Sequence, residues 1–334
     1  MTKEGDTMNE TVGVCSLSRL CDYWLEMIHL QVKPSTYACY ATIIEKHIKP
    51  EIGGVQVREF CNGMLFNFIR REQSEGLAGN TLRLIIFLLK AIIRLGVENG
   101  LATAEPLRYY VPRAANRNSA RLMSQENFEE LFLRLTFAGN NFETGLLVSL
   151  CTGIRVGELC GLRWEDIDME TGYLKVRRTV SRIRSTNFPA EDFRTGGFSA
   201  EDFSSVKRPR TFLYIGAPKT GTSLRDIPLP DFLLLRLRER KGADSAFLLT
   251  GTEKCMEPRG VQRRFKNLLR KCGIPDINIH SLRHTFASHW IENGFDSKAL
   301  SEILGHSSVK ITMDIYVHSN MNQKKNYMNK MLAI

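Results

Sequence analysis

The sequence predicts a mainly α protein in two parts. An all-α N-terminal unit of four helices precedes a larger α+β unit with a small antiparallel β-sheet. Three observations predict this. Apolar residues recur at helical spacing through the first hundred residues. Tyr173–Arg184 (YLKVRRTVSRIR) alternates like a strand, and two shorter stretches follow it. From Asp231 to the end, helical patterning dominates again.

Residues 1–13 lack periodicity and are expected to be disordered. From Ser16, the residues Leu17, Leu20, Trp24 and Ile28 share one helix face. Lys33-Pro34-Ser35 stops that helix, and Pro34 can open the next, with Tyr37, Ala41, Ile44 and Ile48 inward. Pro50 and Gly53-Gly54 are expected to break it. A third helix is predicted over about 64–75 and a fourth from a cap at Asn80 to Asn99-Gly100. This gives a helical domain over 14–104. Residues 105–121 carry Pro106, Pro112, Arg108, Arg113, Arg117 and Arg121 with little periodicity. They read as a basic linker whose arginines either simply solvate it or, in a two-domain DNA clamp, contact phosphate where the linker crosses the duplex.

The second domain, 122–334, opens at Ser124 with a capping signal. Helices are predicted over about 124–136, 141–151 and 155–162, and strands at Phe212–Ile215 and Arg225–Ile227 beside Tyr173–Arg184. An insertion of about 185–206 holds a repeat, FPAEDF at 188–193 and FSAEDF at 198–203. It reads as a flexible loop or extended hairpin. Its alternative is an aromatic hook, whose acidic residues suit a protein partner better than DNA. A basic amphipathic tail spans 320–334.

The chain has 334 residues, 46 Lys+Arg against 36 Asp+Glu, and a net charge of +10. That balance suits a polyanionic partner, nucleic acid being the commonest, although a basic non-binding protein is the plainer alternative. The longest apolar run, Leu84–Leu95, is broken by Lys90 and Arg94 and falls short of the roughly twenty residues a membrane span needs. No signal peptide is read in the first fourteen residues, so a cytoplasmic, nucleoid-associated protein is expected. None of the eight cysteines forms a CxxC pair, which argues for reduced core thiols rather than a structural zinc.

The chemistry concentrates late in the chain. Leu304–His318, LGHSSVKITMDIYVH, sets His306 ten residues before Tyr316. Arg155 lies in TGIRVGEL, and His280 and Arg283 lie in HSLRHTF. Two arginines, two histidines and a tyrosine suffice for metal-free attack on a phosphodiester: a phenol as nucleophile, cations for the growing charge. At a reference pKa of about 10, only about one phenol in a thousand is ionised at pH 7, a shortage of roughly 4 kcal/mol that nearby cations or a base must offset. Plainer readings stand beside these. Arg155 can simply pair with Glu158 three residues on. His280 and Arg283 can be polar residues of a capped helix start. Lys219, in APKTGT between two strands, can be an exposed turn residue. The carboxylates Glu165, Asp166 and Asp168 (WEDID) fit a turn better than a metal site, and no GxxxxGK[ST] loop is present.

The order and spacing of these motifs resemble the tyrosine recombinase family, integrases that cut and rejoin DNA through a phosphotyrosine. Matching motifs run from about Leu122 to His318, and the preceding ninety or so residues fit the family's helical core-binding domain more loosely. The resemblance implies Tyr316 as nucleophile, Arg155 and Arg283 as phosphate clamps, and His280 and His306 as further donors or proton acceptors. It implies Lys219, on a mobile hairpin, as the acid that protonates the leaving 5′ oxygen. It implies no cofactor and no metal. Double-stranded DNA with a specific core site would be the partner, bound by a homo-tetramer that passes through a Holliday junction. The tail at 320–334 would dock on a neighbouring protomer. With about fifteen residues before the first helix, no extra arm-binding domain is expected. Rival readings are a type IB topoisomerase, a catalytically silent DNA-binding regulator, and a helical adaptor with no nucleic-acid role.

Overall fold

A computed structural model describes residues 15–102, 108, 123–184, 211–217, 223–316, 325, 328 and 329. Contacts divide the chain into two compact units, one holding the helices up to residue 98 and the other those from residue 125 on. The linker arginines other than Arg108, the FxAEDF repeat, Lys219 and most of the tail lie outside the described residues.

In the first unit, α1 (Leu17–His29) starts at Ser16, whose hydroxyl accepts from the Arg19 N–H. Next, α2 (Pro34–Ile43) runs through one π-helical turn, Ile44–Ile48, into α3 (Lys49–Ile52). Pro50 therefore does not break the helix as the sequence suggested. The Lys49 N–H reaches back to the Ile44 carbonyl, and this wider turn lets a residue with no N–H pass without losing the helix. The helix ends one turn later at Gly53. Then come α4 (Asn62–Ser74) and α5 (Gly79–Glu98). Asn80 is not the cap of α5. It lies inside the first turn, and its Oδ1 accepts from Arg83 Nη2 at 3.0 Å. Leu17, Leu20, Trp24, Ile44, Ile48, Leu65, Ile69 and the α5 face of Leu82, Ile85, Leu88, Leu89 and Ile92 are buried. Each such aliphatic contributes about 1.5–3 kcal/mol. Lys90 and Arg94 sit on the exposed side of α5, and no described helix is long and apolar enough to cross a membrane.

In the second unit, α6 (Gln125–Thr136) is capped by Ser124 and α7 (Asn141–Thr152) by Asn140, each accepting from the N–H three residues on. On α7, Phe142, Leu146, Leu147, Val148 and Leu150 are buried, and so are Thr144, Ser149 and Thr152. A helix buried nearly all round is a central one. Thr144 and Thr152 bond their hydroxyls to carbonyls one turn back, at 3.0 and 2.6 Å. The short α8 (Val156–Gly161) follows.

Strands β1 (Ile167–Asp168) and β2 (Tyr173–Val176) come next, then β3 (Thr179–Arg184), β4 (Thr211–Gly216) and β5 (Arg225–Pro228). They form an antiparallel sheet β1-β2-β5, with Leu174 opposite both Ile167 and Ile227, and a separate β3-β4 pair. The single strand expected over Tyr173–Arg184 is thus two. The chain changes partner at Arg177-Arg178, where Arg178 turns its guanidinium onto Glu165 and Asp166. Asp168 accepts from the Thr171 and Glu170 N–H groups at 3.0 and 3.1 Å and so shapes the turn into β2.

The helices α9 (Asp231–Arg238), α10 (Pro258–Lys271), α11 (His280–Glu292), α12 (Ser297–Leu304) and α13 (Val309–Tyr316) follow. Helices dominate this region as the sequence suggested, and between them 239–257 forms turns and a bridge between Arg163 and Phe247. The apolar run Ala246–Leu249 is buried there, within a turn closed by the Thr250 and Gly251 N–H groups on the Phe247 carbonyl.

Gly153 ends α7 in the left-handed region at φ +64°. A Cβ there would lie 2.7 Å from Phe286 Cδ1 and 2.8 Å from Leu304 Cδ2. Gly153→Ala is therefore expected to destabilise the protein by about 1–3 kcal/mol, measured by urea unfolding.

Candidate active site

The site is organised by the last turn of α12. Gly305 adopts φ +64°, and two N–H groups fold back onto the helix: Gly305 to the Glu302 carbonyl and His306 to the Ser301 carbonyl, both at 3.0 Å. This Schellman closure satisfies two terminal carbonyls and leaves the next three without helical partners. Each of those three accepts from a different arginine. The Ile303 carbonyl takes Arg225 Nε. The Leu304 carbonyl takes Arg283 Nη2 at 2.8 Å. The Gly305 carbonyl takes Arg155 Nη2 at 2.9 Å. Cations at the negative end of a helix are favourable, and here the contact is direct.

Arg155 stands at the N-cap of α8 in extended conformation, a poor place for a positive charge. Glu158 offsets it, accepting from the Arg155 N–H at 3.0 Å and from Nη1 at 2.9 Å. The same buried carboxylate takes the fork of Arg225, with Nη2 at 2.9 Å and Nη1 at 3.2 Å. Burial pushes the Glu158 carboxyl upward, but the hydrogen bonds and charge of Arg225, then those of Arg155, prevail and hold it below the usual range. The Arg155 side chain is 37% exposed, whereas Arg225 is 7% exposed. Arg155 can therefore meet a ligand, while Arg225 is a brace.

Arg283, in the first turn of α11, is buried and also donates Nη1 to the Gly153 carbonyl at 2.8 Å. Its Nη2 lies 2.9 Å from His306 Nε2, and His306 Nδ1 lies 2.8 Å from Thr312 Oγ1. Burial first, then the charges of Arg283, Arg155 and Arg225, lower the His306 imidazole to about 4, so it is neutral at pH 7. His280 begins α11, its N–H on Asn278 Oδ1 at 3.1 Å. Crowding by neighbouring atoms, then Arg283 and Arg155, lowers its imidazole too.

The structure thus gathers Arg155, Arg283 and His306 around one helix end, with His280 in electrostatic range. Tyr316 is the last residue of α13, a helix packed on α11 and α12, and its side chain lies outside the described residues. Sequence reasoning gave Arg225 no role, although it shares the inward face of β5 with Ile227 by strand alternation. It also missed Thr312, which is fully buried in α13 and which no sequence pattern marks. The WEDID carboxylates are engaged away from this cluster by Arg178, Arg163 and Lys175, and Asp168 is held down to about 2, first by the Thr171 N–H.

Comparison with known proteins bears on the family and the fold. The phage integrase family model matches residues 200–323, and the phage integrase N-terminal SAM-like domain model matches 16–62. Arg155 lies outside both stretches. The chain is 25% identical over 334 residues to the tyrosine recombinase XerC-like protein of Caldanaerobacter subterraneus subsp. tengcongensis, covering 93% of this chain and 81% of that one. It is 22% identical over 329 residues to the ICEBs1 integrase of Bacillus subtilis, covering 95% and 82%. Its fold matches a Tn1549 transposon integrase fragment in complex with transposon right end DNA, at TM-score 0.73, 19% identity and coverage of 96% and 100%. It also matches a lambda integrase fragment bound to a core site, at TM-score 0.61, 16% identity and coverage of 92% and 97%. Fold and relatives together define a tyrosine-type DNA recombinase. The chain thus carries matches to two phage integrase models and has tyrosine recombinases among its relatives.

Two outcomes follow for stability. Glu158→Gln leaves the buried Arg225 charge uncompensated and is expected to cost about 3–5 kcal/mol in chemical denaturation. His306 titrates at about 4 in the folded chain against an ordinary 6.5, so the unfolded chain takes up the proton first as pH falls. Its contribution is complete above pH 6.5 and lost progressively toward pH 4. His306→Gln should flatten the stability–pH curve in that window.

Proposed function

We propose that this protein is a site-specific DNA recombinase that cuts and rejoins DNA through a 3′-phosphotyrosyl intermediate, in integration, excision or inversion. The observation that carries the proposal is the convergence of Arg155, Arg283 and His306, from three distant stretches, on carbonyls and neighbours at the end of α12. Tyr316 attacks the scissile phosphate, its phenolic proton passing to His280 or His306, and the bond from phosphorus to the 5′ oxygen breaks to release a 5′ hydroxyl. Arg155 and Arg283 hold the non-bridging oxygens, and His280 and His306 complete the shell. Lys219 protonates the leaving 5′ oxygen, which as an alkoxide needs a general acid. The 5′ hydroxyl of a partner strand then reverses the step. The phosphotyrosine conserves the bond energy, so no nucleotide cofactor is needed.

Residues 14–104 serve as core-binding domain and 122–334 as catalytic domain, joined by the basic linker, on double-stranded DNA with a specific core site. The net charge of +10 and the strongly amphipathic α10, with Arg259, Arg263, Arg264, Lys266, Arg270 and Lys271, support a DNA partner. A homo-tetramer on DNA is supported by analogy with lambda integrase, solved as a tetramer bound to a Holliday junction.

The test is a suicide duplex cut from DNA flanking the gene and nicked beside the cleavage point. Wild-type protein should form a covalent adduct, and Tyr316→Phe should bind the duplex and form none. Arg155→Ala should slow adduct formation by about a hundred- to a thousandfold. Binding without an adduct would favour a silent regulator, and relaxation of arbitrary supercoiled DNA would favour a topoisomerase.

A further inference from the structure

We propose that Thr312 is the positioning residue of His306: its buried hydroxyl holds the Nδ1 proton, so that Nε2 is the nitrogen presented to the scissile phosphate. This rests on the recombinase reading for its consequence, and on hydrogen-bond chemistry for its premise.

A guanidinium donates and never accepts. Since Arg283 Nη2 lies 2.9 Å from His306 Nε2, Nε2 must be the accepting nitrogen. A neutral imidazole carries one proton, which then sits on Nδ1. There it meets Thr312 Oγ1 at 2.8 Å. Thr312 is fully buried, so water cannot replace its hydroxyl. Arg283 and Thr312 together select one of two tautomers and fix the ring plane.

The same bond does a second job. Thr312 lies in α13 one turn before Tyr316. The hydrogen bond ties the helix that ends at the nucleophile to the loop that seats the arginines. When a phosphate oxygen takes the Arg283 N–H, Nε2 is released, and it can then take the proton that the Tyr316 phenol gives up on attack and present it to a phosphate oxygen. Thr312 accepts from Nδ1 whether the ring is neutral or doubly protonated, so the ring need not turn during the reaction. A hydroxyl suits this role because it can accept without carrying charge beside three arginines.

The test has two readouts. In protein labelled with ¹⁵N-histidine, with His306→Gln identifying the signal, the wild type without DNA should show His306 as the Nδ1–H tautomer. Finding the Nε2–H tautomer would overturn the proposal, whatever the variants do. Thr312→Val keeps the shape and removes the acceptor. It should give mixed tautomers and slow adduct formation on the suicide duplex about ten- to a hundredfold, with unchanged duplex affinity. Thr312→Ser should restore both readouts. A Thr312→Val protein with wild-type tautomer and wild-type rate would refute the role, as would loss of rate in Thr312→Ser equal to that in Thr312→Val. If wild type forms no adduct at all, the recombinase reading fails, and the tautomer measurement still decides the Thr312–His306 bond.

Discussion

Three consecutive main-chain carbonyls, at Ile303, Leu304 and Gly305, hold three arginines, and the rest of the site depends on that arrangement. Helix ends ordinarily leave such oxygens to water. Here Gly305 turns the chain sharply enough to close the helix on two carbonyls and aim the following ones at the guanidiniums. Gly305 reaches this left-handed geometry without the penalty a side chain would add. Leu304, fully buried, anchors the turn in a small cluster with Ala287 and Leu300. The Leu-Gly-His sequence therefore has a separate physical task for each residue: anchor, turn and imidazole.

Gathering positive charge has a cost, and Glu158 offsets it. One buried carboxylate receives donors from Arg155 and from both Nη atoms of Arg225. A lysine could supply the charge but not the planar fork that bonds a carboxylate and a carbonyl at once. The division of labour follows from exposure. Arg225 is spent inside the protein, whereas Arg155 keeps part of its guanidinium at the surface. The low imidazole of His306 belongs to the same balance: beside three fixed cations, a fourth would be repelled.

Much of this was legible in the sequence because it is written in local patterns. Apolar spacing located the helices of both units, and Gly, Pro and cap residues marked most of their ends. Arg155, His280, Arg283 and His306 stood out because short motifs surround them. What escaped depends on particular partners that spacing alone does not reveal. Pro50 looks like a helix breaker until the Lys49 to Ile44 bond of the π turn is seen. Tyr173–Arg184 looks like one strand because alternation does not reveal a change of partner. Arg225 and Thr312 sit in unremarkable strings, and their roles come from partners at Glu158, Ile303 and His306.

The grips on the arginines have one more consequence. A backbone carbonyl is supplied by every residue type, so substitutions at Ile303 or Leu304 that respect packing leave the oxygen in place. The chemical centre is thus insulated from drift in the side chains around it. In the recombinase proposed above, it would also be blind to base sequence, since the guanidiniums would meet phosphate, which is the same at every step of the duplex. Target choice can then diversify on other surfaces of the molecule while the cutting apparatus stays unchanged, as a single blade can be fitted to many jigs.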